Sequence, residues 1–196
     1  MGTVIASAAV SLDGFVADTG DAVGPLFDWH NNGTVDLWGT DPDRPFKVSP
    51  ATAEYLNSYW PKIGAVVAGR RLFDITNGWH GVPPVGDHIV IVTHEPPTDW
   101  AYPDTPLHFT GSIEEGIAKA KELAGDRDVS LTAGNLTGQA IALGLVDEIA
   151  YNLVPVLFGT GRPFFGEFVG PQIMLDDPRV VQGDRVTHLH YRVSKG

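Results

Sequence analysis

Four clusters of residues in this chain have types and spacing suited to phosphate binding or proton handling. Gly69-Arg70-Arg71 sets two guanidiniums side by side after a glycine that ends an apolar run, in a chain with only 13 lysines and arginines. Guanidiniums hold phosphate bidentately and keep their charge at any working pH. Pairing of Arg70 and Arg71 with acidic neighbours is the plainer reading, and the sequence leaves both open. Thr93-His94 ends a second apolar run. At the third, Ala133-Gly134-Asn135-Leu136-Thr137, a β-prone stretch turns through small residues into a helical pattern. Such a turn offers backbone N–H groups and a positive dipole end to an anion. The fourth is Ser11-Leu12-Asp13-Gly14, after the first apolar run. Asp13 there is a candidate for proton handling, or simply a turn-forming residue before glycine.

The elements that must carry these clusters follow from periodicity. Thr3 to Val10, Ile63 to Ala68, His88 to Thr93, Val129 to Thr132 and Ala150 to Leu157 are short apolar runs suited to buried strands. Ser49-Pro50 opens a helix that runs to about Trp60, with Tyr55, Leu56 and Tyr59 on its apolar face; Ser112, with Glu115 three residues on, opens another that runs to about Ala124. Asn135 reads as the cap of a third, with Leu136, Ala140 and Leu143 in helical spacing and Gly144 as its stop. Arg179 to Gln182 and Arg185 to Val193 form a hairpin turned by Gly183-Asp184. Alternating strands and helices imply a mostly parallel sheet covered on both faces, whose ligands bind beyond the carboxyl ends of the strands.

Composition narrows the class. With 196 residues, 43% hydrophobic and 19% charged, the chain suits one globular domain with a full core. A formal charge of −11 argues against a nucleic-acid partner. The absence of cysteine removes disulfide and thiolate chemistry. No apolar run is long enough for a membrane span and no secretory leader is apparent, so the expectation is a cytoplasmic protein. Asp18, Asp21 and Asp28 do not match a calcium loop and read as a solvated loop. His188 and His190 share a strand face, but no third ligand is placed, so a solvated face is expected and no metal. The segment from Asp18 to Val48 is long, irregular and aromatic, as a lid or substrate wall would be. The glycine pattern is not the dinucleotide fingerprint G-x-G-x-x-G after the first strand, which disfavours an ordinary Rossmann dehydrogenase.

Five motifs fall in one order: Ser11-Leu-Asp-Gly-Phe-Val-Ala, Val67-Ala-Gly-Arg-Arg-Leu-Phe, Ile89-Val-Ile-Val-Thr, Ala133-Gly134 with Gly144-Leu-Val-Asp-Glu, and Pro155-Val-Leu-Phe-Gly-Thr-Gly-Arg-Pro-Phe-Phe. This order resembles the dihydrofolate-reductase-like family, most closely the C-terminal reductase domain of the bacterial bifunctional riboflavin-biosynthesis deaminase/reductase. The resemblance covers essentially the whole chain. It implies a three-layer α/β/α sandwich, NADPH as hydride donor, a small heterocyclic substrate and a homodimer. It also implies roles. Gly69, Arg70 and Arg71 would hold cofactor phosphate, Thr93 and His94 the adenosine side, and Gly134, Asn135, Leu136 and Thr137 the pyrophosphate. Ser11, Asp13 and Gly14 would border the nicotinamide and substrate.

Three departures qualify the family pattern. The family's Gly-Gly turn is Ala133-Gly134 here, and the expectation is a strained link, in its extreme form a cis peptide. Leu72 replaces a phosphate-binding hydroxyl residue. The helix position for a substrate carboxylate falls on Ala53, with Glu54 about 100° further round the helix. Asp13 and Glu54 are therefore the candidate catalytic carboxylates, and Trp29, Trp38 and Tyr55 the candidate substrate walls. A dimeric ligand-binding protein without catalysis, or a pterin-type reductase, are the alternatives.

Overall fold

The structure, a computed structural model, describes residues 2–40 and 45–194. In chain order its strands and helices are β1 (Val4–Ser11), β2 (Phe15–Ala17), β3 (Val35–Leu37), β4 (Phe46–Val48), α1 (Pro50–Tyr59), β5 (Ile63–Gly69), α2 (Arg70–Thr76), β6 (His88–Val92), β7 (Leu107–Thr110), α3 (Ile113–Ala124), β8 (Asp128–Thr132), α4 (Asn135–Ala142), β9 (Glu148–Val154), β10 (Arg162–Pro163), β11 (Arg179–Gln182) and β12 (Thr187–Arg192). Eight strands form one sheet in the order β11-β12-β9-β1-β8-β5-β6-β7. From β9 through β7 every neighbouring pair is parallel, while β12 runs antiparallel to both β9 and β11. The expected parallel sheet with a C-terminal antiparallel hairpin is present.

Alternation along β1 explains the layers. Val4, Ala6 and Val10 face a core made with Ile113, Ile117, Ala120 and Ala124 of α3 and Ala140 and Ile141 of α4. Ile5 and Ala9 face the other side, against Ala53, Tyr55, Leu56 and Tyr59 of α1 and Leu26 and Trp29 of the 3-10 turn Gly24–His30. Successive strand side chains point to opposite faces, so one apolar strand serves both layers. Each fully buried leucine or isoleucine in them contributes about 1.5–3 kcal/mol.

The helix starts follow local chemistry. Ser49 accepts the Thr52 amide at 3.3 Å, with proline next in the chain. Ser112 accepts the Glu115 amide at 3.2 Å, and the Glu115 carboxylate reaches back past the N-cap to the Gly111 amide at 3.1 Å, a variant of the capping box. At α4 the expectation is corrected. Gly134 is the cap, and Asn135 is the first helical residue, its side-chain oxygen accepting the Glu167 amide at 3.2 Å.

Other features were not anticipated. Residues after Gly69 coil at once into α2, and β7 adds an edge strand. The long segment after Asp18 contains the 3-10 turn and the β3–β4 hairpin; its part at 41–44 lies outside the described residues. His188 and His190 do not lie on a solvated face, because β11 covers one side of β12 and α1 packs over it. His188 is fully buried.

Candidate active site

Strand order decides which clusters meet. β1, β8 and β5 are adjacent and parallel, and β6 is next to β5. The Ser11–Gly14, Ala133–Leu136, Gly69–Arg71 and Thr93–His94 clusters therefore stand along one edge of the sheet, at its carboxyl ends. Hydrogen bonds tie them together. Phe164, just after β10, donates its amide to the Gly14 carbonyl at 2.9 Å and accepts from the Gly134 amide at 2.8 Å. Arg70 donates to the Glu95 carbonyl beyond the end of β6. The side chain of Leu136 lies under Gly69, where an added Cβ would stand 3.3 Å from it.

Gly134 provides the turn. Its φ of +113° and ψ of −157° belong to a region open essentially to glycine alone, and no atom lies within 4 Å of where its Cβ would be. Its backbone can therefore be approached closely. The expected cis link is corrected: no cis peptide occurs among the described residues. Gly134's own dihedrals make the bend, so the Ala133–Gly134 peptide stays trans. The amides that follow it open α4, where the first helical N–H groups lack carbonyl partners inside the helix.

Both arginines are engaged by acids, as the plainer reading of them held. Arg70 Nε donates to Asp74 at 2.8 Å, one helical turn on. Arg71 forms a two-pronged pair with Asp21, its Nε donating at 2.8 Å and its Nη2 to the second oxygen. Asp21 is thus no solvated loop residue. Arg162 donates to it as well, at 3.1 Å. The Arg71 guanidinium, followed by that of Arg162, holds the Asp21 carboxyl below the usual aspartate range against the opposing effect of burial. All three side chains reach solvent.

Several sequence candidates have their polar groups engaged within the fold. The Asp13 carboxylate accepts from the Ser11 hydroxyl at 2.6 Å, the Phe158 amide at 3.1 Å and the Gly159 amide at 2.7 Å. The Ser11 bond, followed by the Gly159 and Phe158 amides, outweighs burial and lowers its pKa. Asp13 is a clamp between the β1 turn and the loop after β9. Ser11 is buried and also accepts the Phe15 amide at 2.9 Å. The hydroxyls of Thr93 and Thr137 are engaged with the Glu95 carbonyl at 3.2 Å and the Thr132 carbonyl at 2.9 Å, and both residues are buried. His94 is exposed at the same edge.

The structure does not bring the expected substrate walls together at this edge. Trp29 and Tyr55 are buried in the core, Tyr55 stacked on His188 and Trp29 set edge-on to it. Trp38 is exposed but at the wrong edge. It follows Leu37, which pairs with Phe46. Phe46 packs on Trp60 before β5, and Thr40 donates to Pro83 before β6, so both contacts lie at the amino ends of the strands. Glu54 is exposed on the outer side of α1, one residue beyond buried Ala53.

No family model matches the chain. The uncharacterized protein YyaP of Bacillus subtilis (strain 168) is 27% identical over 172 residues, 83% of this chain and 79% of that one. A Shewanella sp. PV-4 protein named for riboflavin biosynthesis superposes with a TM-score of 0.70 at 20% identity, with 100% of each chain covered. The deaminase/5-amino-6-(5-phosphoribosylamino)uracil reductase of Thermotoga maritima gives 0.60 at 15%, covering 98% of this chain and 57% of that longer one. Dihydrofolate reductase from Enterococcus faecalis, solved with NADP(H), gives 0.59 at 15%, covering 99% and 98%. The fold is dihydrofolate-reductase-like.

Within this dihydrofolate-reductase-like fold, residues the sequence did not single out stand at the same edge. Besides Asp21 and Arg162, Tyr151 points its hydroxyl at Gly14, where an added Cβ would stand 3.7 Å away, and its ring packs on Phe164 at 4.9 Å. Burial, then the nearby Tyr191 and Asp13, raises the pKa of this phenol, so it keeps its proton. Strand parity with Ile149 was the only sequence signal for Tyr151. Nothing local shows that the loop at Gly14 folds over it.

Proposed function

We propose that this chain is an NADPH-dependent reductase of a small heterocyclic substrate, of the kind that reduces 5-amino-6-(5-phosphoribosylamino)uracil. The observation that carries the reading is the meeting of the Gly14, Gly134 and Gly69–Arg71 turns at one edge of a dihydrofolate-reductase-like sheet. The residues fit a phosphate-bearing cofactor. Gly134 leaves its backbone approachable, the amides of Asn135 and Leu136 open α4 beside it, and the guanidiniums of Arg70 and Arg71 reach solvent on the adjacent strand end. Arg70 and Arg71 would hold phosphate, Gly134, Asn135 and Leu136 the pyrophosphate, and exposed His94 the adenosine side. NADPH supplies the hydride when bound. This chain's part is to grip the phosphates, order the Gly14 turn through Asp13, and present the protonated Tyr151 phenol at the same edge.

A second reading has its own support. Asp13 is fully engaged as a clamp and Ala53 is apolar, which favours a ligand-binding protein without catalysis, and weighs against a pterin-type reductase. NADPH oxidation in the presence of reducible pyrimidines and pteridines separates the two. Turnover of an aminouracil supports the first; tight NADPH binding without turnover of any of them supports the second. The phosphate grip is read by cofactor preference. Replacing Arg70 and Arg71 together with alanine should erase a preference for NADPH over NADH of about one to two orders of magnitude. Equal affinity of the unmutated protein for both cofactors ends the assignment.

A further inference from the structure

Asp21 sits in a turn that supports itself. The Asp18 carboxylate accepts the amides of Gly20 at 2.7 Å and Ala22 at 2.9 Å, and the Asp18 amide donates to the Ala22 carbonyl at 2.9 Å. At its tip Asp21 has φ of +71°, a left-handed conformation that few side-chain-bearing residues take. The turn delivers the carboxylate to two guanidiniums from different parts of the chain. Arg71 comes from the start of α2; Arg162 comes from β10, and its Nη2 also reaches the Thr19 carbonyl at 3.1 Å.

Two guanidiniums share one carboxylate, while the turn's other acid, Asp18, accepts from the Gly20 and Ala22 amides, in a chain whose formal net charge of −11 makes cations scarce. The Arg71 and Arg162 side chains are 60% and 42% exposed, so the pair can be reached from solvent, whereas that of Asp21 is 20% exposed. Arg162 is also part of the candidate active site. β10 pairs with β2 and leads directly into Phe164, the residue that links Gly14 to Gly134. Two convergent guanidiniums are a preferred recognition site for a phosphate group.

We propose that Arg71 and Arg162 form an anion seat for a phosphate group of the ligand, and that Asp21 is its built-in competitor. The entering phosphate displaces the Asp21 carboxylate and releases the turn at 18–22. This rests on the reading above that a phosphate-bearing cofactor binds at this edge. It adds Arg162 to the site and makes ligand affinity a competition set by one residue of the chain itself. Because the groups are accessible, the competition weakens with added salt.

The test uses NADPH and inorganic pyrophosphate as probes, with calorimetry on the wild type and on Asp21→Asn. Asparagine keeps the size of the side chain and tolerates a left-handed backbone, so the turn survives without the charge. Asp21→Gly, which suits that backbone fully, is the second variant should the first misfold. Both should bind each probe about fivefold to tenfold more tightly than the wild type at low ionic strength, and Arg162→Ala should bind more weakly by a similar factor. Asp36→Asn, which breaks the exposed ion pair with Lys47 elsewhere on the surface, should change neither, which excludes a mere net-charge effect. Amides at 18–22 of the wild type should exchange faster when either probe is bound. If NADPH binds wild type and Asp21 variants equally, or protects those amides, Asp21 is only a loop clasp and the proposal falls while the reductase reading stands. If pyrophosphate shows the full pattern and NADPH binds nothing, the seat stands and the cofactor reading falls.

Discussion

Tyr55 lies flat against His188, ring centroids 4.5 Å apart and planes 22° from parallel, at the centre of the core between α1 and the sheet. Thr52 and Asn152 occupy the two imidazole nitrogens at 3.0 and 2.7 Å. No carboxylate is among these contacts, so nothing there favours an imidazolium. Burial, and then the neighbouring His30, lowers the His188 pKa from 6.5 to about 4; burial lowers that of His30 to about 4 as well.

Stability should therefore fall in acid. Between pH 6.5 and 4 the unfolded chain protonates both histidines while the folded chain refuses the protons. The stabilisation is complete above pH 6.5 and declines as pH drops towards 4, by roughly 3 kcal/mol for each histidine. Urea denaturation at steps from pH 8 to pH 4 measures it. His188→Gln should remove about half of the decline and lower stability at neutral pH, since Thr52 and Asn152 lose their partner. A midpoint that does not move over this range would show that the site admits the charge.

Asp13 should act on catalysis through position. Asp13→Asn weakens the acceptor for the Ser11 hydroxyl and for the Phe158 and Gly159 amides, and loosens the turn at Gly14. We expect turnover to drop about tenfold with NADPH affinity unchanged, and Glu54→Gln, at an exposed site, to have little effect. With its pKa held below the ordinary aspartate value, Asp13 is ionised at neutral pH, so removing it should leave the pH profile of kcat unshifted in that range. Damage from Glu54→Gln and none from Asp13→Asn would move the working carboxylate to α1.

Gly134 and Ala133 should respond in opposite ways. Gly134→Ala forces a Cβ into the φ of +113° and should cost about 1–3 kcal/mol of stability. It should also weaken NADPH binding about tenfold or more, because relaxing that strain re-aims the amides that open α4. Ala133→Gly restores the family's glycine pair at a link that is already trans, and should change NADPH affinity less than about threefold, at a conformational cost of about 0.5–1 kcal/mol. Calorimetric titration of both variants decides it. A strong response at position 133 would mean that this peptide must reorient when ligand binds.

Local chemistry in the sequence determined most of the elements and the edge where they converge. Ser49 before Pro50, Ser112 before Glu115, and the apolar runs of β1, β5, β6, β8 and β9 specify strands and helices through contacts only a few residues long. Their alternation in turn implies a parallel sheet with the turns at Gly14, Gly69 and Gly134 at its carboxyl end. What each polar side chain does there depends on partners far away in the chain, which no local pattern encodes. Asp13 became a clamp because Phe158 and Gly159 arrive from the end of β9, 145 and 146 residues on. Arg71 met Asp21 from 50 residues away, and Arg162 joined them only because β10 pairs with β2. Trp29 looked like a wall of a site from its type, and Tyr55 from its place on the apolar face of its helix. Tertiary structure buried them, because β11 closes the sheet edge beyond β12 and α1 settles over His188, and apolar area follows whatever the assembled layers remove from water.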